Sequence, residues 1–176
     1  MTVVSVDRGL VSLARCAVEE YLLRGHVIKP SVTEPSAQAA CFVCIKTRDG
    51  KLRGCMGTTE PSKPSLAEEV IANAINAATR DPRFVPVSAE ELPSLRFSVD
   101  VLSRLEPTTP DKLDPRTYGV LVEDERRTKR GLLLPAIEGI ETVEQQLAIA
   151  MYKAGLRADE SFKIYRFTVQ RFREEE

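Results

Sequence analysis

The segment around Cys55 combines residue types that suit thiol chemistry. Arg53 lies two residues before Cys55, and Gly54 and Gly57 flank it. A nearby cation favours a thiolate over a thiol, and glycine inside a strand weakens it unless another backbone or a ligand must approach closely. Two interpretations are open from these residues: a reactive thiol beside a bound ligand, or a small buried cysteine that the glycines allow to pack tightly.

The dipeptide Asp49-Gly50 predicts that Cys55 lies in a β-hairpin. The flanking segments CFVCIKT and KLRGCMGT read as strands, and Asp-Gly is a strong signal for a two-residue turn. With such a turn, Cys44 faces Cys55, Lys46 faces Arg53, and the opposite face is apolar, with Val43, Ile45, Leu52 and Met56. Directly opposed residues have Cβ atoms about 4.5–5.5 Å apart. We therefore expect Cys44 and Cys55 to be close enough to touch and to cross-link on oxidation.

Arg53 has two candidate roles. Its guanidinium is always charged and its planar fork suits a carboxylate or phosphate, so it is the candidate anion-binding residue, assisted by Lys46. The alternative is a structural ion pair with a carboxylate such as Asp81 or Asp100. The same two carboxylates are the candidate acid or base groups if Cys55 is a catalytic nucleophile. The other candidate ligand-binding residues are Gly54, Gly57 and Thr58.

The remaining chemical signals favour ordinary structural roles. Cys41 and Cys44 form a CxxC, but residues three apart in a strand point to opposite faces, and no second CxxC completes a zinc site. The single histidine, His26, follows a predicted helix, which favours a partner of the helix C-terminal dipole or a surface residue over a catalytic one. Three acidic residues precede the basic ones Arg126, Arg127, Lys129 and Arg130, which indicates a solvated turn rather than a nucleic-acid patch. We expect no metal and no cofactor, and nothing here is a nucleotide-binding motif.

Composition places the chain among ordinary folded proteins. It has 176 residues, 43% hydrophobic and 29% charged, with a formal net charge of −1. That length suits one domain, and that charge gives no general attraction to nucleic acid or anionic membrane. We find no signal peptide and no membrane span. The expectation is a cytoplasmic protein whose four cysteines are free thiols by default.

Hydrophobic periodicity predicts a mixed order of helices and strands. One helix spans residues 6–24, a second is capped by Ser65 with the buried stripe Leu66, Val70, Ala74 and Ala77, and a third begins after Thr142. A half-buried strand with Asp100 on its polar face, a strand pair near 118–135 and one final strand over 161–172 complete the pattern. The predicted fold class is α+β, with a largely antiparallel sheet flanked by helices.

The segment LRGCMGT at 52–58 resembles the hallmark of the AMMECR domain family. Further blocks resemble the family in the same order, including ATRDPRF at 78–84, SVDVL at 98–102 and GLLLP at 131–135, so the resemblance runs essentially end to end. Within the family, the chain is most similar to the bacterial branch called AmmeMemoRadiSam system protein A. The resemblance implies one AMMECR-type domain over residues 1–176, with a larger and a smaller subdomain that share a cleft near LRGC. It supplies no reaction.

Three functional hypotheses follow. The first is an enzyme or enzyme component that uses Cys55 and Arg53, with Memo-type and radical-SAM proteins as the partners that the resemblance implies. The second is a non-catalytic module that binds a protein or a small anion. The third, nucleic-acid binding through a local basic patch, is the least favoured because of the net charge.

Overall fold

The computed structural model describes residues 6–31, 34 and 36–175. The chain divides into two compact units, the first formed by Met1–Leu102 with Gln170–Glu176 and the second by Ser103–Val169. Each unit contains a four-stranded sheet and at least one helix. The predicted α+β class with antiparallel sheets flanked by helices is confirmed.

The first unit is built on a sheet whose strands lie in the order β2-β1-β3-β8. These strands are β1 Cys41–Thr47, β2 Leu52–Gly57, β3 Leu95–Leu102 and β8 Val169–Arg173, and the helices are α1 Val6–Arg24 and α2 Leu66–Thr79. One face of the sheet and both helices enclose the core, in which Val43, Phe97 and Val99 are almost completely buried. A short 3-10 helix, Ala89–Ser94, leads into β3.

The second helix forms as the sequence predicts. The Ser65 hydroxyl accepts a hydrogen bond from the backbone N–H of Glu68 and so satisfies one of the donors left open at a helix start. The predicted stripe, which consists of Leu66, Val70, Ala74 and Ala77, is buried. The helix is thus held at its start by a cap and along its length by the core.

The hairpin register is confirmed near the cysteines and wrong near the turn. Cys44 pairs with Cys55 and Ile45 with Gly54, as expected, but Lys46 pairs with Leu52 rather than with Arg53. The loop has three residues, because the Thr47 N–H bonds to the Lys51 carbonyl and Gly50 takes a positive φ of 86°. Arg53 is consequently the extra residue of a β-bulge. The bulge moves Leu52 to the opposite face, where it is 37% exposed rather than buried.

The second unit has a sheet in the order β4-β7-β5-β6. Its strands are β4 Glu106–Pro107, β5 Gly119–Asp124, β6 Arg130–Leu133 and β7 Phe162–Phe167, and its helix is α3 Val143–Ala154. Thr142 and Gln145 form the capping box of α3, and Gly155 ends it at a φ of 70°. Buried residues of β5, β6 and α3 form the core of this unit.

The prediction of one final strand is wrong. The segment forms two strands, of which β7 belongs to the sheet of the second unit and β8 to the sheet of the first. Between them, the Thr168 carbonyl accepts from the Ser103 N–H, and the Thr168 N–H donates to the Ser103 hydroxyl. The alternation of apolar and polar side chains continues through both strands, so the sequence pattern does not indicate where the chain passes from one sheet to the other.

Candidate functional site

Cys44 and Cys55 are joined by a disulfide between β1 and its neighbour β2, which is an edge strand. Their Cα atoms are 4.1 Å apart, a short separation that fits a directly opposed, non-hydrogen-bonded pair in an antiparallel ladder. The predicted proximity is confirmed. The default expectation of free thiols is wrong for these two residues, because the register places both sulfur atoms on the same face at bonding distance.

The other two cysteines are free thiols. Cys16 is exposed on α1, whereas Cys41 is buried and accepts hydrogen bonds from the Asn73 side chain at its carbonyl and its sulfur. Burial raises the pKa of the Cys41 thiol to about 12. Cys41 lies on the core face of β1 and Cys44 on the other face, so this CxxC does not bring its two sulfur atoms together.

The outer edge of β2 at Cys55 is covered by an aspartate and an arginine. The Asp81 carboxylate accepts from the Cys55 N–H at 3.0 Å and from two nitrogens of the Arg83 guanidinium, while Arg83 also donates to the Cys55 carbonyl at 3.3 Å. The Arg83 hydrogen bonds lower the pKa of Asp81 to about 2. Asp81 is therefore ionised at neutral pH and holds the backbone of Cys55, which leaves it no proton to donate.

Arg53 is engaged by protein groups on all sides. Its Nε and Nη2 donate to the Glu91 carboxylate at 2.8 and 3.1 Å, and its Nη1 donates to the Val85 carbonyl at 2.9 Å. Its guanidinium also lies 6.0 Å from the centre of the Phe84 ring. The ion-pair partner is thus Glu91, not Asp81 or Asp100, and an anion at this position would have to displace Glu91.

The two glycines of the motif allow close packing. A Cβ atom at Gly54 would lie 2.1 Å from the Ala77 carbonyl oxygen of α2, and one at Gly57 would lie 2.3 Å from the Phe42 ring. Thr58 donates its hydroxyl to the buried carboxylate of Glu69 at 2.7 Å. These three positions fix α2 and the end of β2 against the sheet.

Lys46 and Asp100 lie on opposite sides of the disulfide along the sheet. Lys46 is exposed, two residues from Cys44 and on the same face of β1. Asp100 lies on β3 and is buried rather than exposed on a polar face, because Arg171 of β8 binds its carboxylate through two hydrogen bonds of 2.7 Å. Lys46 and Asp81 therefore lie next to the cysteines. Asp100 is a diagonal neighbour of Cys44, which pairs with Ser98, but its carboxylate is bound by Arg171.

Sequence reasoning missed Glu91 and Arg83. Glu91 also belongs to a capped turn, since its carboxylate accepts from the Ser88 N–H at 2.8 Å. Arg83 lies two residues after Asp81, and this spacing in an irregular segment was the available signal for their pairing. Over residues 6–31, 34 and 36–175, we find no group of three His, Cys, Asp or Glu residues that could hold a metal ion.

The part of the chain that the structure describes contains no helix with the length and hydropathy needed to cross a bilayer.

Comparison with known proteins agrees with this architecture. A protein from Thermotoga maritima is 49% identical over 173 residues, which cover 95% of this chain and 98% of the relative. A Clostridium acetobutylicum protein is 45% identical over 93% of this chain, but the match covers only 36% of that longer protein. The crystal structure of an uncharacterized protein from Pyrococcus horikoshii superimposes with a TM-score of 0.89 at 36% identity, covering 97% of this chain and 92% of that one. The model of the AMMECR1 family matches residues 11–172, and the chain belongs to that family.

Proposed function

We propose that this protein is a redox-active enzyme component that works by thiol–disulfide exchange at Cys44 and Cys55. The observation that carries the proposal is the covalent pairing of two directly opposed cysteines on an edge strand. Both residues are half-buried, so neither is enclosed in the core. A half-buried cross-strand pair is reachable by an external thiolate, which a fully buried pair is not.

The exchange is a balanced two-electron reaction with an external dithiol. A thiolate of the dithiol attacks the Cys55 sulfur, and the electron pair of the S–S bond leaves on the Cys44 sulfur. The second thiol of the partner, once deprotonated, then attacks the mixed disulfide, and Cys55 leaves as a thiolate. The partner is oxidised to its disulfide, and the two proton equivalents lost by its thiols are taken up when Cys44 and Cys55 become thiols. The reverse reaction oxidises this protein.

Neighbouring groups support this assignment of roles. Lys46 lies on the same face as Cys44, where its positive charge favours the thiolate that leaves. Asp81 and Arg83 hold the N–H and the carbonyl of Cys55. The strand that carries the attacked sulfur is thereby fixed while the S–S bond opens and closes.

The partners we propose are Memo-type and radical-SAM proteins, in the cytoplasm, as the sequence resemblance implies. The relative from Clostridium acetobutylicum supports joint action in a general way, since its matched region makes up only 36% of a longer chain. A domain that also occurs joined to additional sequence is suited to act as one component among several.

Reduction of the folded protein tests the proposal. The protein is treated with dithiothreitol without denaturant, quenched with iodoacetamide, unfolded and alkylated again with a heavier reagent, and each cysteine is assigned by mass spectrometry. We expect Cys44 and Cys55 to take the first reagent, while buried Cys41 takes only the second. The variant Cys44→Ser should form a mixed disulfide at Cys55 with a purified partner that is in its disulfide form, because the Cys55 thiolate attacks that disulfide, one partner sulfur leaves as a thiolate, and no Cys44 thiol resolves the product. The control Cys16→Ser should behave as the parent protein.

A disulfide that resists dithiothreitol until the protein unfolds would overturn the proposal. Cys44 and Cys55 would then be a structural cross-link, and the non-catalytic binding module would be the better description. In that case Lys46→Met should not change the rate of reduction, whereas exchange through a Cys44 thiolate predicts a slower reaction in this variant.

A further inference from the structure

A groove on the first unit is lined by several arginine side chains, none of which belongs to the LRGC segment. It has a volume of about 750 Å³ and lies along β8, the edge strand opposite to β2. Its cationic lining residues are Arg15 of α1, Arg96 of β3, and Arg171 and Arg173 of β8. A volume of this size is in the range of small-molecule sites, about 300–1,000 Å³.

Two of the four guanidiniums are neutralised by the protein itself. Arg15 forms an ion pair with Glu174 and also donates to the Leu95 carbonyl at 2.8 Å. Arg171 binds Asp100 through both of its carboxylate oxygens. These pairs fix the walls of the groove and contribute little net charge to it.

The other two guanidiniums have no carboxylate partner among the residues that the structure describes. Arg96 donates only to the Leu95 carbonyl at 3.0 Å, and Arg173 is exposed. Glu174 lies beside Phe97, whose N–H donates to its carboxylate, and Arg171 lies beside Asp100, so β3 and β8 run in opposite directions. Arg96 and Arg173 are therefore diagonal neighbours on one face of the sheet, about 7–8 Å apart at their Cα atoms.

We propose that this groove binds a small organic phosphate through Arg96 and Arg173. A phosphate monoester is close to a dianion at neutral pH, which matches two unpaired guanidiniums better than a single carboxylate does, and each planar fork can bind two of its oxygens. The groove, at about 750 Å³, is larger than a phosphate ion and leaves room for an organic part, although Val11 and Phe172 are almost fully buried and offer it little apolar surface. Glu175, which the same register places opposite Arg96, also lines the groove and disfavours ligands with a larger negative charge. The site is separate from the disulfide and does not depend on its redox state.

Binding of adenosine monophosphate, inorganic phosphate and succinate, measured by calorimetry with the full-length protein, tests this proposal. We expect the nucleotide to bind more tightly than inorganic phosphate, and succinate to bind weakest. Arg96→Gln and Arg173→Gln should each weaken nucleotide binding about tenfold, as expected for loss of one charge-assisted contact. Arg80→Gln, which removes an exposed arginine outside the groove, is the matched control and should bind as the parent does.

Thermal unfolding without ligand separates binding from stability. Because neither Arg96 nor Arg173 pairs with a carboxylate, both variants should unfold at the temperature of the parent. The proposal is wrong if none of the three probes binds, or if the two groove variants bind the nucleotide as tightly as Arg80→Gln does. It is also wrong if succinate binds as well as the phosphates, because the groove would then select charge without selecting phosphate.

Discussion

Replacing Gly54 by alanine should destabilise the protein more than the size of a methyl group suggests. The added Cβ atom would lie 2.1 Å from the carbonyl oxygen of Ala77, a separation that real Cβ atoms essentially never show. The obstacle is backbone, so no side-chain rotation relieves it, and α2 must move by about 1 Å away from β2. That helix has ten buried residues, eight of them in the hydrophobic core, and all would be displaced with it.

The expected cost of this displacement is about 3 kcal/mol, the upper part of the range for overpacked cores. For a chain of this length, that corresponds to a melting temperature about 6–12 °C lower. Gly9→Ala is the matched control, since Gly9 is exposed in α1 and an added Cβ would meet nothing within 4 Å. There alanine should stabilise the helix by about 0.5–1 kcal/mol.

Urea unfolding of the parent and both variants, followed by circular dichroism, measures the difference. The two glycine-to-alanine changes should shift the midpoint in opposite directions. If Gly54→Ala unfolds at the same urea concentration as the parent, the close approach of α2 to β2 does not constrain this position, and the packing role assigned to Gly54 is wrong.

Three further predictions concern caps and ion pairs. Ser65→Ala should lower the free energy of unfolding by about 1 kcal/mol through loss of the helix cap, measured by urea unfolding. Arg171→Met should lower the free energy of unfolding by about 3–5 kcal/mol, because the side chain of Asp100 is only 4% exposed and would be left charged and buried. Arg53→Met should lower it less, because the side chain of its partner Glu91 is 37% exposed and can be hydrated. The pKa of Asp81 is lowered from 3.8 to about 2, so its contribution to stability is present above pH 4 and is lost as the pH falls toward 2, and urea unfolding as a function of pH should show this loss in the parent but not in Asp81→Asn.

The sequence was sufficient to predict the central part of the hairpin. Alternation of apolar and polar residues on both strands permits only one parity, so the facing of Cys44 and Cys55 follows from local information. The pairing near the turn could not be predicted as well, because Asp-Gly also occurs in three-residue loops. The longer loop shifts the strand register by one residue, and the bulge at Arg53 shifts it back before the cysteines. The predicted burial of Leu52 is therefore wrong because the loop is one residue longer than expected.

The other features that the sequence did not predict depend on residues that are far apart in the chain. Arg53 binds Glu91, which is 38 residues away, and Arg171 binds Asp100, which is 71 residues away. Periodicity describes which face of an element is buried but not which element packs beside it. The arginine-lined groove draws its residues from α1, β3 and β8, so no local motif marked it.

Three consecutive residues of the LRGC segment each hold a different part of the first unit. Arg53 donates hydrogen bonds to Val85 and Glu91, and Gly54 allows α2 to pack closely against β2. Cys55 is bound to β1 through its sulfur and to Asp81 through its backbone N–H. Opening the S–S bond removes only one of these attachments, and the strand pairing on both sides of the cysteines remains. The two thiols would therefore stay opposed after reduction, at a small entropic cost for closing the bond again. A redox centre that cycles repeatedly, as we propose for this pair, needs this property, and a motif whose contacts are largely structural is compatible with that proposal.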